Sequence, residues 1–297
     1  MPRRTRALSS ALAAVAATCG AHSALAHGVV GNRFFPATLI TDDPAVADEL
    51  SLPTVDVSKT SDTPSATETD ISGEWSKRIT SRFGVSFDGG WSDIKTPGRE
   101  ITGFQNLGTT FKYLALTDTP HELMVSVGLG VEWGGTGNER VGAERTTTLT
   151  PTLYFGKGAG DLPDSLAWAR PLAITGVVGY GVPLKSGETR SLETGFAIEY
   201  SLRYLSSRVR DVGLPSVVNE MTPLVEVQLS TPVANGGGAP ATGSVNPGVI
   251  WSGKHIQLGA EAMIPINSAS GHGVGAIFQV HWFIDDLFPQ TLGKPIW

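Results

Sequence analysis

A single cysteine, Cys19, occurs among the 297 residues. It lies in a 26-residue leader with three arginines (Arg3, Arg4, Arg6), an Ala-rich stretch from Ala7 to Ala17 and the small-x-small ending Ala24-Leu25-Ala26. This is the pattern of an export signal cleaved before His27. A chain so processed has no thiol, which excludes disulfides, zinc–cysteine sites, thiol catalysis and covalent haem attachment. Charge is scarce as well, at 17% of residues, against about 25% in an ordinary soluble domain. Three of the 22 basic residues fall in the leader, which leaves 19 against 28 acidic ones. No run of Lys and Arg follows residue 6, so a nucleic-acid surface is excluded. Long apolar runs are missing too: none reaches the ~18 residues of a membrane-spanning helix. A membrane location therefore requires a closed β-barrel, the other fold that satisfies every backbone group in hydrocarbon.

Glycine is plentiful, with 36 residues, as twisted sheets and tight turns demand. Residues 27–65 read as an N-terminal arm carrying Pro36, Pro44, Pro53 and Pro64 and ending in a Ser/Thr-rich stretch. Asp43, Pro44 and the following acidic residues predict a short helix over 43–50. Phe34, Phe35 and Leu39 need a dry place, which fits an ordered plug; a flexible tether is the alternative.

Residues 66–297 alternate with period two, the strand signature. Leu123, Val125, Val127, Leu129, Val131 and Trp133 share one face, and Glu122, Met124, Ser126, Gly128, Gly130 and Glu132 the other. The same holds over 192–204, 224–230, 256–264 and 274–282. Weaker strands fit at 69–76, 82–91, 104–116, 146–156, 168–180 and 247–251. That makes eleven. Single-chain bacterial barrels have an even number, so we expect twelve, within a range of 10–12, with the missing strand near 206–219. The last strand should stop near Ile284, before Pro295, leaving a short C-terminal tail.

A soluble sandwich alternates too, and three features favour a transmembrane barrel. Several strands exceed ten residues, whereas tilted membrane strands need about 9–11. Trp75, Trp91, Trp133, Trp168, Tyr180, Trp251 and Trp282 fall at strand ends, where aromatic girdles form. The polar faces carry Glu122, Glu132, Glu193, Glu199, Glu226 and Glu261, together with Lys112, Arg203 and His281. These nine residues are the lumen and transport candidates. Rings of acidic side chains favour cations; local pairing with Arg is the plainer alternative.

The blocks HGVVGNRFFPATLITDDPAVADELSLPT, NPGVIWSGKHIQLGAEAMIPIN and FQVHWFIDDLFPQTLGKPIW resemble the outer-membrane family named for the meta-cleavage phenol-degradation pathway. More distantly, the chain is similar to fatty-acid and hydrocarbon outer-membrane transporters with an N-terminal plug. The resemblance implies a barrel of about twelve strands and passage of small solutes, including apolar or aromatic ones. It brings no catalytic residues.

Other chemistries have weaker support. The amine and imidazole of a processed His27 would suit Cu(II), the basis of a rival reading as a secreted or periplasmic β-rich ligand- or copper-binding protein. An outer-membrane hydrolase would draw on His281, with Asp285 four residues on, but no G-x-S-x-G elbow occurs. Gly134–Gly137 and Gly236–Gly238 lack the G-K-[ST] ending of a phosphate loop. The reading adopted is all-β: an antiparallel transmembrane barrel with an N-terminal arm, exported to the cell outer membrane. Its partners would be lipid and a small solute that it passes or binds without covalent chemistry or cofactor.

Overall fold

A computed structural model of the chain describes residues 28–62 and 64–297. The leader, Cys19 and the proposed copper ligand His27 lie outside these residues. The strands are β1 (Val29–Val30), β2 (Arg33–Phe34), β3 (Glu49–Lys59), β4 (Thr67–Arg78), β5 (Phe83–Thr96), β6 (Arg99–Phe104), β7 (Leu107–Asp118), β8 (Leu123–Trp133), β9 (Thr148–Gly158), β10 (Leu172–Pro183), β11 (Arg190–Tyr200), β12 (Met221–Ala234), β13 (Thr242–Ser252), β14 (Ile256–Pro265) and β15 (Gly275–Phe283). Twelve of them, β3–β5 and β7–β15, pair antiparallel with their neighbours in chain order, and β15 returns to pair with β3. The wall is closed. β6 folds back on the far half of β5 as an appended hairpin.

The two faces are as the alternation predicts. Val127, Phe196, Ile198, Val225, Leu258 and Phe278 are exposed on the outside, Phe278 at 55%. Ser126, Ala197, Glu226, Gln257 and His281 are buried on the inside. An apolar exterior this extensive is the mark of a bilayer-facing surface. Trp75 stacks on Phe87 with ring centroids 6.1 Å apart. Trp133 Nε1 donates to Thr109 Oγ1 at 3.0 Å, and Trp282 Nε1 to the Leu52 carbonyl at 3.1 Å. These two indole nitrogens thus find partners while their rings stay on the outer surface.

The twelfth strand lies elsewhere than expected. Residues 206–219 form no strand; they hold short helical turns at Leu205–Val209 and Ser216–Asn219. The missing strand is β3, inside the stretch read as arm, so the wall begins at Glu49 and not at residue 66. A bulge hides it. The register shifts between Ser51 and Thr54, so Leu50 and Leu52 share the outer face with Val55 and Val57 across a phase break. Pro53 sits in that break. The helix predicted over 43–50 does not form either. Glu49 and Leu50 pair with Phe283 and Trp282 on one side and with Ser76 and Trp75 on the other, and that tertiary pairing overrides the local helix signal.

Three side-chain hydrogen bonds cross the closing seam between β3 and β15. Ser51 Oγ and His281 Nδ1 share one of 2.8 Å, Gln279 Nε2 donates to Thr54 Oγ1 at 3.2 Å, and Trp282 Nε1 reaches Leu52. Beyond Phe283 the tail folds across the end of β4, where the N–H groups of Ile296 and Trp297 donate to the carbonyls of Arg78 and Ile79.

Residues 28–48 fold back inside the wall. Val30, Phe35, Ala45 and Val46 pack on the inward-facing Leu114, Met124 and Ala173. Leu39 packs on Leu224, Ile250 and Ile277. The apolar residues of the arm therefore find their dry place within the barrel.

A charge on the lipid face at mid-wall should cost about 2–4 kcal/mol, and one on the wet face far less. Val127→Arg is expected to lower the urea midpoint of the protein folded in lipid vesicles, while Thr150→Arg, facing the open lumen, leaves it nearly unchanged. Ser126→Arg is unsuited as the inward control, because Ser126 Oγ donates to the Pro44 carbonyl of the arm.

Candidate functional site: the lumen and its arm

The arm is held at three levels. Arg33, 1% exposed, anchors one end. Its Nε lies 3.1 Å from Glu122 Oε2, its Nη1 donates to the Pro171 carbonyl at 2.9 Å, and its guanidinium lies 4.1 Å from the centre of the Tyr204 ring. Glu122 also accepts from Tyr204 Oη at 2.9 Å and from the Gly160 N–H at 3.1 Å. A buried ion pair is sustained only when its remaining hydrogen-bonding groups are met, and here they are. At the other end Asp48, fully buried, takes Lys77 Nζ and Arg78 Nε, each at 2.6 Å. The same two cations donate to tail carbonyls: Lys77 to Leu292 and Lys294, Arg78 to Gly293.

The apex is held by one carboxylate. Glu226 Oε1 accepts the Leu39 N–H at 2.7 Å, its Oε2 accepts the Thr41 N–H at 2.6 Å, and the Ile40 N–H lies between them. Three consecutive N–H groups that would otherwise be orphaned inside the wall are satisfied at once. Gln257 Nε2 adds a bond to the Ala37 carbonyl at 2.6 Å. On the opposite wall Lys112 Nζ reaches Asp42 Oδ1 at 2.8 Å and the Asp43 carbonyl at 2.9 Å. Burial pushes the carboxyl of Asp43 up to about 7, against the pull of Lys112, with Glu49 and Asp42 adding to the rise.

Beside the arm lies a cavity of about 370 Å³ against β3, β4, β5 and β7. Glu74 and Asp88 face it as direct cross-strand partners, and Asp56 and Asp70 form a second like-charged pair on β3 and β4. At the mouth away from the chain termini, a further cavity is lined by Glu132, Glu144, Glu188 and Glu193 with no Lys or Arg among its lining residues.

The nine candidates divide by role. Glu132 and Glu193 line the far mouth; Glu132 accepts from Asn106 Nδ2 at 2.9 Å and Glu193 from Ser230 Oγ at 2.8 Å. Glu226 and Lys112 hold the arm. Glu199 and Glu261 face inward and are buried, Glu199 accepting from Thr175 Oγ1 at 3.0 Å. Glu122 sits in the turn before β8, not in the passage. Arg203 is not on a strand at all. β11 ends at Tyr200, Ser201 caps a helical turn, and Arg203 pairs with Glu220 at 3.3 Å near the end where the chain enters and leaves the wall. His281 is in the seam, with Nε2 3.3 Å from Glu49 Oε2 and Ser51 on its other nitrogen, while Asp285, its expected partner, lies near Arg78. Among the described residues no group of three or more His, Cys, Asp or Glu is placed to hold a metal. The acidic wall of Asp56, Asp70, Glu74 and Asp88 went unnoticed in the sequence, although Glu68, Asp70, Ser72 and Glu74 alternate plainly with Thr69, Ile71, Gly73 and Trp75.

No family model and no curated protein matches the chain. Among solved structures it is similar to the NanC porin (TM-score 0.48, 11% identity, covering 78% of this chain and 98% of that one). It is similar also to the COG4313 outer membrane channel from Pseudomonas putida F1 (0.48, 11%, 80% and 96%) and to the outer membrane phospholipase A from Escherichia coli (0.42, 8%, 84% and 94%). The likeness is one of fold, and since channels and a phospholipase share it, no activity follows from it.

Two outcomes follow from the arm's contacts. Glu226→Ala strands three N–H groups, each worth about 1–3 kcal/mol when unmet, and should expose the arm to protease cleavage and raise single-channel conductance. Asp43, with its folded-state carboxyl raised, stabilises the docked arm fully below about pH 4 and loses that contribution as pH climbs to about 7. In a pH series of arm proteolysis, Asp43→Asn should flatten this part of the dependence.

Proposed function

We propose that the protein is an outer-membrane channel for small solutes, narrowed by its own N-terminal arm and preferring cations to anions. The observation that carries this reading is the pairing of a lipid-compatible exterior with a lumen whose unpaired charges, among the described residues, are carboxylates. Glu132, Glu144 and Glu193 set the potential at one mouth, where Glu188 is paired with Lys185, while Asp56, Asp70, Glu74 and Asp88 continue it inward. Fixed charges of one sign raise the local concentration of the opposite ion. The basic residues facing the arm do not offset this, because Lys112 and Lys77 are committed to Asp42 and Asp48.

The family resemblance points to apolar or aromatic solutes; the wall favours polar and positively charged ones. A secreted soluble protein would leave the belt through Val127, Ile198 and Phe278 bare to water, at a cost that an acyl environment removes. The chain Ser51–His281–Glu49 has the order of a nucleophile, base and acid. We read it as a buried polar network fastening β3 to β15, since Ser51 and His281 are direct register partners there.

Reconstitution in planar bilayers tests the proposal. Under a KCl gradient the reversal potential should have the sign of K⁺ preference, and the pair Glu132→Gln and Glu193→Gln should move it toward zero. Anion preference, or a reversal potential untouched by the pair, overturns the selectivity. Absence of any conductance, in wild type and in Glu226→Ala alike, overturns the channel.

A further inference from the structure

The cavity beside the arm contains an unresolved electrostatic problem. Glu74 on β4 and Asp88 on β5 stand directly opposite each other and face the same space. Like charges in that position repel. Among the described residues neither carboxylate is ion-paired: the hydrogen bond given to Glu74 comes from Ser76 Oγ, at 3.0 Å. The two lysines that line the cavity are committed elsewhere: Lys112 to Asp42 and the Asp43 carbonyl, Lys77 to Asp48.

A second, independent observation concerns a neutral group. Gln279 on β15 lines the same cavity, is 7% exposed, and spends its amide N–H on Thr54 Oγ1. Its Oε1 is buried without a partner. A buried amide oxygen left unmet costs free energy comparable to a lost hydrogen bond. What Glu74, Asp88 and Gln279 Oε1 lack is therefore a positive charge and a hydrogen-bond donor placed among them. Its volume, about 370 Å³, is at the small end of the range for organic-ligand sites.

We propose that this cavity is a binding site for a small organic ammonium ion that carries N–H donors, the positive group lying between Glu74 and Asp88 and a donor reaching Gln279 Oε1. A quaternary ammonium meets the charge but offers no donor to Gln279; a bare metal ion would need a fuller set of oxygen ligands, and among the described residues no group of three or more His, Cys, Asp or Glu is placed to hold one. The site deepens the reading of the protein as a cation-preferring channel, and rests on it for the claim that the bound ion is a passing solute. Binding itself does not require passage.

Calorimetric titration of the full chain in detergent micelles tests the site, with 1,4-diaminobutane as the probe and its fully N-methylated bis-quaternary analogue as the control of equal charge. Saturable binding of the diamine is expected, at least tenfold tighter than the analogue. Asp88→Asn with Glu74→Gln should weaken it at least tenfold. Gln279→Leu, which keeps both carboxylates, should weaken the diamine several-fold and leave the analogue unchanged. Heat-modifiable migration identifies variants that fold, and if the double variant fails that check, Gln279→Leu decides alone. No saturable binding to wild type, equal affinity for the two probes, or an unchanged affinity in the folded variants overturns the proposal. A protein that conducts K⁺ without binding the diamine refutes this site and leaves the channel standing; one that binds the diamine without conducting does the reverse.

Discussion

Everything in this molecule depends on one pairing, that of the first wall strand with the last. In hydrocarbon an unpaired backbone N–H or carbonyl has no water to turn to, so a sheet of eleven paired junctions is no use without the twelfth. β15 supplies it by pairing with β3 from Phe283↔Glu49 to Ala276↔Val57. The junction is irregular: the three steps of β3 from Ser51 to Thr54 face only two of β15, from His281 to Gln279. It is also where Ser51, Thr54 and Leu52 each receive a side-chain bond from the facing strand. Where the ladder is interrupted by the bulge, side chains supply the cross-links that the backbone does not.

A closed wall creates an interior, and the interior here is not uniformly wet. Leu114, Met124, Leu224, Ile250 and Ile277 face inward and are buried, which would be a poor arrangement for a water-filled bore. They make sense once the arm is in place, because Phe35, Val46 and Leu39 cover them. The lumen is thus divided. One side is a dry contact between arm and wall; the other, along β3–β5 and β7, is a polar cavity. Glu226 stands at the boundary and turns the arm by capturing its apex N–H groups.

The wall was largely legible in the sequence. β8 was read to within one residue, and β12, β14 and β15 were placed within three or four residues at each end, because alternation is a property of neighbours in the chain. β3 was missed for the same reason: the bulge at Leu52-Pro53 breaks the phase on which the reading depends. Arg203 was carried into a strand by the spacing of Leu202 and Tyr204, although Ser201 caps a helical turn. Glu226 was recognised as inward-facing, but its partners are backbone groups 185–187 residues away, and no local pattern announces them. Glu122 and Arg33, 89 residues apart, are a further case. The acidic wall was within reach, since Asp70 and Glu74 lie on the polar face of a strand that had been found.

The arm, where it joins the wall, and the tail meet on the same pair of side chains. Lys77 and Arg78 grip Asp48, where the arm emerges, and also the carbonyls of Leu292, Gly293 and Lys294 in the tail. The root of the arm and the C-terminal tail are therefore mechanically joined through a hinge that belongs to neither. Tension on the tail is transmitted to the root of the arm, so the bung in the bore and the strap beneath it behave as a single fitting.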